Sequence, residues 1–171
     1  GDIHAGRPLS LELDRERGYV RRREIEISLW RIVEFAKEEN AQIILLSGDL
    51  FEHIYTRQSW VKDVSLLLGT VPGIRIFISP GNHDPMLPDS LYRSVQWPDN
   101  VTIFASDNFA KVSLEDIGVD VYGLGWVSFA ERRRLVQGFK PERADRFNIV
   151  LLHGDLSETS TYLPISPRDI E

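Results

Sequence analysis

Four short stretches of the chain bring carboxylates, imidazoles or an amide together: Asp2-Ile-His4, Ser47-Gly48-Asp49, Gly81-Asn82-His83-Asp84 and His153-Gly154-Asp155. Three of them directly follow apolar runs, Ile43–Leu46, Ile74–Ile78 and Ile149–Leu152. In α/β sheets ligands bind outside the carboxyl ends of the strands, so clusters at such ends meet in one place. Asp2, His4, Asp49, Asn82 and His153 are oxygen and nitrogen donors without sulfur, a set suited to manganese, iron or zinc in a mixed site. A carboxylate keeps lone pairs on both oxygens and can bridge two cations. Asp2 and His4 are two residues apart, point the same way if the segment is extended, and can then serve one ion. Gly48 and Gly81 allow tight turns beside the ions. Each residue alone has a plainer reading. An Asp after Gly is usually a turn residue, Asn82 suits a left-handed turn, and a buried His is usually hydrogen-bonded core. The chain holds only four histidines, three of them in these clusters, and the joint occurrence favours a two-metal site.

The elements that must carry these clusters alternate. Residues Ala5 to Tyr19 read as a loop. Arg21 to Glu39 reads as an amphipathic helix, with Ile25, Leu29, Ile32, Val33 and Ala36 on one stripe and Asn40 ending it. The continuous apolar run Ile43–Leu46 predicts a strand covered on both faces. A second helix is predicted from Arg57 to Leu68, with Thr56 as N-cap and Trp60, Val64, Leu67 and Leu68 facing inward. Further strands are predicted at Ile74–Ile78, Val101–Phe104, Val119–Leu124 and Ile149–Leu152, and a helical turn at Glu131–Gln137. Alternating strands and helices indicate an α/β fold.

Composition narrows the function. A chain of 171 residues can bury a sizeable core. It has no cysteine, which excludes disulfides, zinc fingers and a thiol nucleophile, and which suits a reducing, cytoplasmic compartment. No apolar run approaches the ~18 residues of a membrane span. The net charge of −6 argues against a uniformly basic nucleic-acid binder. Arg21–Arg23 and Arg132–Arg134 are the two basic runs. They could contact phosphates, but solvated faces are the plainer reading. Trp97, Trp126, Tyr92 and Phe104 could stack on bases, and a core role is the plainer reading for them too.

Taken together, Asp2-Ile-His4, Gly48-Asp49, Gly81-Asn-His-Asp84 and His153 resemble the metal-binding motifs of the calcineurin-like metallophosphoesterases, in that family's order. The surrounding wording, "GDIHAG", "LLSGDLFE", "PGNHDP" and "VLLHGDL", looks like the DNA-repair exonucleases of the SbcD type. The resemblance implies a four-layer α/β/β/α sandwich and a two-metal phosphodiester hydrolase. It implies that Asp2 and His4 hold a first ion, that Asp49 bridges, and that Asn82 and His153 hold a second. Manganese is the expected metal. His83 would stand over the scissile phosphate without ligating, and Asp84 would orient His83 or cap a turn. DNA would be the substrate, with an SMC-like ATPase subunit or a second copy of the chain as partner. Phosphodiesters of small nucleotides, phosphoproteins and a non-catalytic scaffold are the competing readings. The resemblance has two departures. The first is that the family's Gly-His-x-His lies beyond Glu171 or is missing, and as the chain also opens without the family's first strand it reads as trimmed at both ends; the second is at Glu52. Glu52 stands where the branch sometimes carries His, with His53 shifted by one and more naturally a surface or supporting residue.

Overall fold

The computed structural model describes residues 1–7 and 15–169. In chain order the elements are α1 (Arg15–Glu38), β1 (Ile43–Ser47), α2 (Gln58–Gly69), β2 (Arg75–Ser79), β3 (Val101–Ile103), β4 (Ala110–Leu114), β5 (Val119–Gly123) and β6 (Phe147–Leu151). Short 3₁₀ turns occupy Leu91–Arg93 and Pro167–Asp169.

Two three-stranded sheets face each other. In the first, β1, β2 and β3 are all parallel, with Leu46 opposite Ile78 and Ile78 opposite Ile103. In the second, β5 pairs antiparallel with β4 and parallel with β6. The two-residue period of a strand sorts the side chains. Ile44, Leu46, Ile76, Ile78, Val101 and Ile103 point toward α1 and α2, where they meet Leu29, Val33, Val61, Val64 and Leu68. Phe77, Phe104 and Ile43 point the other way, onto Val112, Leu114, Val121, Ile149 and Leu151 of the second sheet. The α/β sandwich of two sheets is therefore as expected, with helices outside the first sheet. Among the described residues no longer helix covers the outer face of the second sheet. Phe139 packs there on Tyr122 and Phe109 instead. No helix of the described residues is long and apolar enough to cross a membrane.

Several local expectations need correction. The first helix begins at Arg15, not Arg21, because Gly18 is carried inside it at a cost of about 1 kcal/mol relative to Ala. Residues 8–14 of the expected loop lie outside the described residues, as does the Arg22 side chain. Ile32 is 41% exposed, since it sits about 100° round the helix from Val33 at the edge of the stripe. Leu45 is 39% exposed, so β1 is covered on both faces only in part. The N-cap of α2 is Arg57, without a side-chain cap. The Thr56 hydroxyl is used elsewhere: it donates to the Ala5 carbonyl and accepts from the Glu52 amide. Glu131–Gln137 forms no helix; Glu131 bridges Tyr162, and a single turn follows at residues 135–138. Strand β4 has no counterpart among the expected elements. Asn40, with φ 53°, ends α1 as expected.

The fold brings the polar clusters to one edge. Strands β1, β2 and β6 end at Ser47, Ser79 and Leu151. There the Ser79 hydroxyl donates to the Leu124 carbonyl at 2.5 Å, tying the two sheets together. The N-terminal segment lies alongside: the amides of Asp2, His4 and Ala5 donate to the carbonyls of Gly48, Asp49 and Leu50.

Candidate metal centre

Asp49 occupies the middle of the site. It follows Gly48 in a tight turn in which both residues are left-handed, with φ 77° for Gly48 and 53° for Asp49. Only Gly adopts that conformation without strain, and strained non-Gly residues cluster at functional sites. A side chain at Gly48 would run into the His153 ring, and one at Gly81 into the Asp49 carboxylate. These two glycines are what let His153 and Asp49 approach. Asp49 Oδ1 accepts the His83 amide at 3.0 Å. Its Oδ2 lies 3.6 Å from His4 Nε2 and 3.3 Å from His153 Nε2.

Two groups of possible ligands share this carboxylate. His4, Asp49 and His83 form one, and Asp2, Asp49 and His153 form the other, each with its donor atoms within 4.8 Å of one another. Asp2 Oδ1 is also 3.7 Å from His4 Nε2. Asp2 and His4 meet without being an extended pair: both are left-handed, with φ 60° and 49°. Asn82 sits half-buried between Gly81 and His83 on the same turn.

The histidine tautomers follow from their outer nitrogens. Glu52 is nearly buried, and its two oxygens accept from two imidazoles, Oε1 from His4 Nδ1 and Oε2 from His83 Nδ1, each at 3.0 Å. A carboxylate can only accept, so both protons lie on Nδ1 and both Nε2 lone pairs are free to face a cation. The Ser47 carbonyl does the same for His153 Nδ1 at 3.0 Å. The His4 and His83 rings meet edge to face with centroids 4.7 Å apart. Glu52 is the residue that sequence reasoning missed as a participant. Its available signal was a carboxylate three residues past Asp49, directly after the apolar pair Leu50-Phe51.

Charges in the cluster shift one another. Burial would raise the Asp49 carboxyl, but the hydrogen bond from His153, the His83 amide and the charges of both imidazoles outweigh it and hold it below the usual carboxylate range. Burial would lower His153, but the Asp49 carboxylate and the Ser47 carbonyl outweigh it, and its pKa moves up. A site that draws protons onto His153 in this way is one a cation can enter in the proton's place. A shared carboxylate, imidazole lone pairs aimed at it and no sulfur together fit two divalent cations.

Asp84 has a different place from the one expected. It is buried, and its hydrogen bonds go elsewhere than to the His83 ring, whose Nδ1 is bonded to Glu52. Its Oδ1 accepts from the amides of Gly81 and Asp49, and its Oδ2 from the amides of Leu50 and Phe51 and the Tyr92 hydroxyl. Burial pushes its carboxyl up, and the Tyr92 hydroxyl and the amides of Gly81 and Phe51 act against that. Asp84 therefore clamps the Asp49 loop to the Gly81 turn. It is a positioning residue, and of the two alternatives it is the turn anchor.

His53 stays outside both groups. Its amide donates to the His83 carbonyl, while its ring turns to Asp89, 3.6 Å from Nε2, and to Phe129. The aromatics Tyr92, Phe104 and Trp126 are buried, and Trp97 donates to the Tyr92 carbonyl, so all four serve the core. Of the second basic run, Arg133 pairs with Glu131 and Asp107, and Arg134 with Asp169.

Comparison with known proteins agrees with this geometry. Residues 1–165 match the calcineurin-like phosphoesterase family. The chain is 27% identical over 146 residues to an uncharacterized metallophosphoesterase, YhaO, of Bacillus subtilis (strain 168). That alignment covers 82% of this chain and 35% of the relative, so the chain spans about a third of the relative's length. Members of this family generally bind two divalent metals and hydrolyse phosphoesters. With 165 of its residues matched and a shared carboxylate between two ligand groups, the chain belongs to the calcineurin-like phosphoesterase family.

Proposed function

We propose that the protein hydrolyses phosphodiesters with two divalent cations, and that its substrate is DNA, in the manner of a repair nuclease of the SbcD type. The single observation that carries the hydrolytic reading is Asp49, whose carboxylate lies between His4 and His153 at 3.6 and 3.3 Å. DNA as substrate is supported by the resemblance of the four motifs and their surrounding wording. On the same footing we propose an SMC-like ATPase or a second copy as partner, and a cytoplasmic location.

Asp2, His4, Asp49, Asn82 and His153 would hold the cations, with manganese favoured over iron and zinc. Bound there, the cations supply Lewis acidity and a water of lowered pKa. The residues do the rest. Glu52 keeps the Nδ1 protons of His4 and His83 in place. Held through Nδ1, the His83 ring turns its Nε2 toward the Asp49 cluster, where it would assist on the leaving side. Asp84 fixes the spacing of the two loops, so none of these side chains must be reorganised when substrate arrives.

The test is manganese-dependent cleavage of single- and double-stranded DNA, bis-p-nitrophenyl phosphate and cyclic nucleotides, by the wild type and by His83→Ala. The variant is expected to keep its metal and lose about 10²–10⁴ in rate. Loss of metal instead would make His83 a ligand. Turnover of cyclic nucleotides without cleavage of DNA would refute the nuclease reading.

A further inference from the structure

Two exposed aromatic side chains pack on the residues next to the metal centre, and neither belongs to any of the motifs. Phe129 is 50% exposed and Tyr162 is 48% exposed. Phe129 lies against the His53 ring, centroid to centroid 5.8 Å, and the His53 amide is bonded to the His83 carbonyl. Tyr162 lies over Trp126 at 6.3 Å with an interplanar angle of 33°, and Trp126 in turn packs on His153 at 6.2 Å and donates to its carbonyl. Each aromatic is thus one residue removed from the cluster, Phe129 through His53 and Tyr162 through Trp126.

The Tyr162 backbone is braced, and its brace reaches Glu131, two residues past Phe129. The Glu131 amide donates to the Thr161 carbonyl at 3.0 Å, and the Leu163 amide to the Glu131 carbonyl at 2.6 Å. The Tyr162 carbonyl accepts from the Asp155 amide. Arg133 grips the Glu131 carboxylate and Asp107. A rigid aromatic loses little entropy on binding a flat partner. Beside a site that handles phosphodiesters, the flat group covalently attached to the phosphate is a nucleobase.

We infer that Phe129 and Tyr162 form a stacking platform for unstacked bases flanking the scissile phosphate, which makes them specificity residues for single-stranded nucleic acid. This deepens the reading of the site as a nuclease and rests on it. Stacking on an aromatic is worth about 5- to 150-fold in affinity per base and tolerates any base sequence. The basic run at Arg132–Arg134 contributes little to such a site, because Arg133 and Arg134 are already paired with acids.

The experiment measures binding, with manganese present, of a phosphorothioate single-stranded oligonucleotide and of an abasic oligomer of the same length and linkage, by fluorescence anisotropy. The wild type is expected to prefer the base-bearing oligomer by at least about 5-fold. Phe129→Ala and Tyr162→Ala should each erode that preference and leave abasic binding unchanged, while Phe129→Tyr and Tyr162→Phe retain it. Equal binding of both oligomers by the wild type overturns the inference, as do alanine variants that weaken both oligomers alike. Hydrolysis of bis-p-nitrophenyl phosphate by the wild type is read separately. Turnover without a base preference refutes the platform alone, and a base preference without turnover refutes the hydrolytic reading alone.

Discussion

Replacing Glu52 by Gln preserves shape and removes one acceptor. In the wild type both carboxylate oxygens accept, from His4 Nδ1 and His83 Nδ1, each at 3.0 Å, inside a nearly closed pocket. An amide has one oxygen and one NH₂. One of the two imidazoles must therefore face a donor, and its stable response is to move its proton to Nε2. If that imidazole is His4, the proton sits where a lone pair must meet the cation. If it is His83, the ring loses the acceptor that holds its orientation. Disrupting such outer partners of metal-binding histidines costs about 10- to 100-fold in affinity or activity, or roughly 1.4–2.8 kcal/mol. Calorimetric titration of manganese, together with nitrogen-15 spectra of the histidine side chains, reads both effects. We expect Glu52→Gln to weaken manganese by about that factor and to show one imidazole in the altered tautomer. Wild-type affinity with all tautomers unchanged would refute the role given to Glu52.

Two other outcomes follow from the same geometry. Asp84→Asn places an NH₂ among four amides and the Tyr92 hydroxyl, all donors. At about 1–3 kcal/mol for each buried donor left unpaired, thermal melting should fall by at least about 5 °C, and an unchanged midpoint would show that the clamp is not needed. For pH, the raised His153 pKa means that its pairing with Asp49 stabilises the metal-free protein fully below its unfolded value, about 6.5. That contribution is lost as pH rises through the higher folded value. Manganese competes with the same proton, so its stabilisation should grow over the same rise in pH. Melting curves of wild type and His153→Asn from about pH 6 to 9, with and without manganese, should show opposite slopes in the wild type–variant difference. Parallel slopes would contradict the assignment.

The donors at strand ends were legible because apolar runs stop abruptly: Leu46 before Ser47-Gly48-Asp49, Leu152 before His153. Glu52 was not legible as a participant. Its position depends on contacts distant in sequence: the Ala5 carbonyl on its amide, and two rings at positions 4 and 83. Asp84 was visible as a carboxylate, but its five donors come from three separate places in the chain, residues 49–51, 81 and 92, which no local pattern encodes. Strand β4 carried a strand signal that was passed over: Ala110, Val112 and Leu114 alternate with Lys111 and Ser113, the pattern of a half-buried strand, in place of the continuous apolar run that marks β1. Gly18 concealed the start of α1, since the packing of a long helix overrides one poor residue. Aromatic residues could not be sorted by sequence into those that bury and those that face solvent. Tyr92, Phe104 and Trp126 went to the core, and Phe129 and Tyr162 to the surface.

The central claim is that Asp49 is shared by two cations. Anomalous diffraction at the manganese edge, from crystals grown or soaked with manganese, tests it directly. The account predicts two peaks flanking the Asp49 carboxylate, one beside His4 and one beside His153. Both should weaken together in Asp49→Ala. A single peak, or two peaks that persist without the Asp49 side chain, would contradict it.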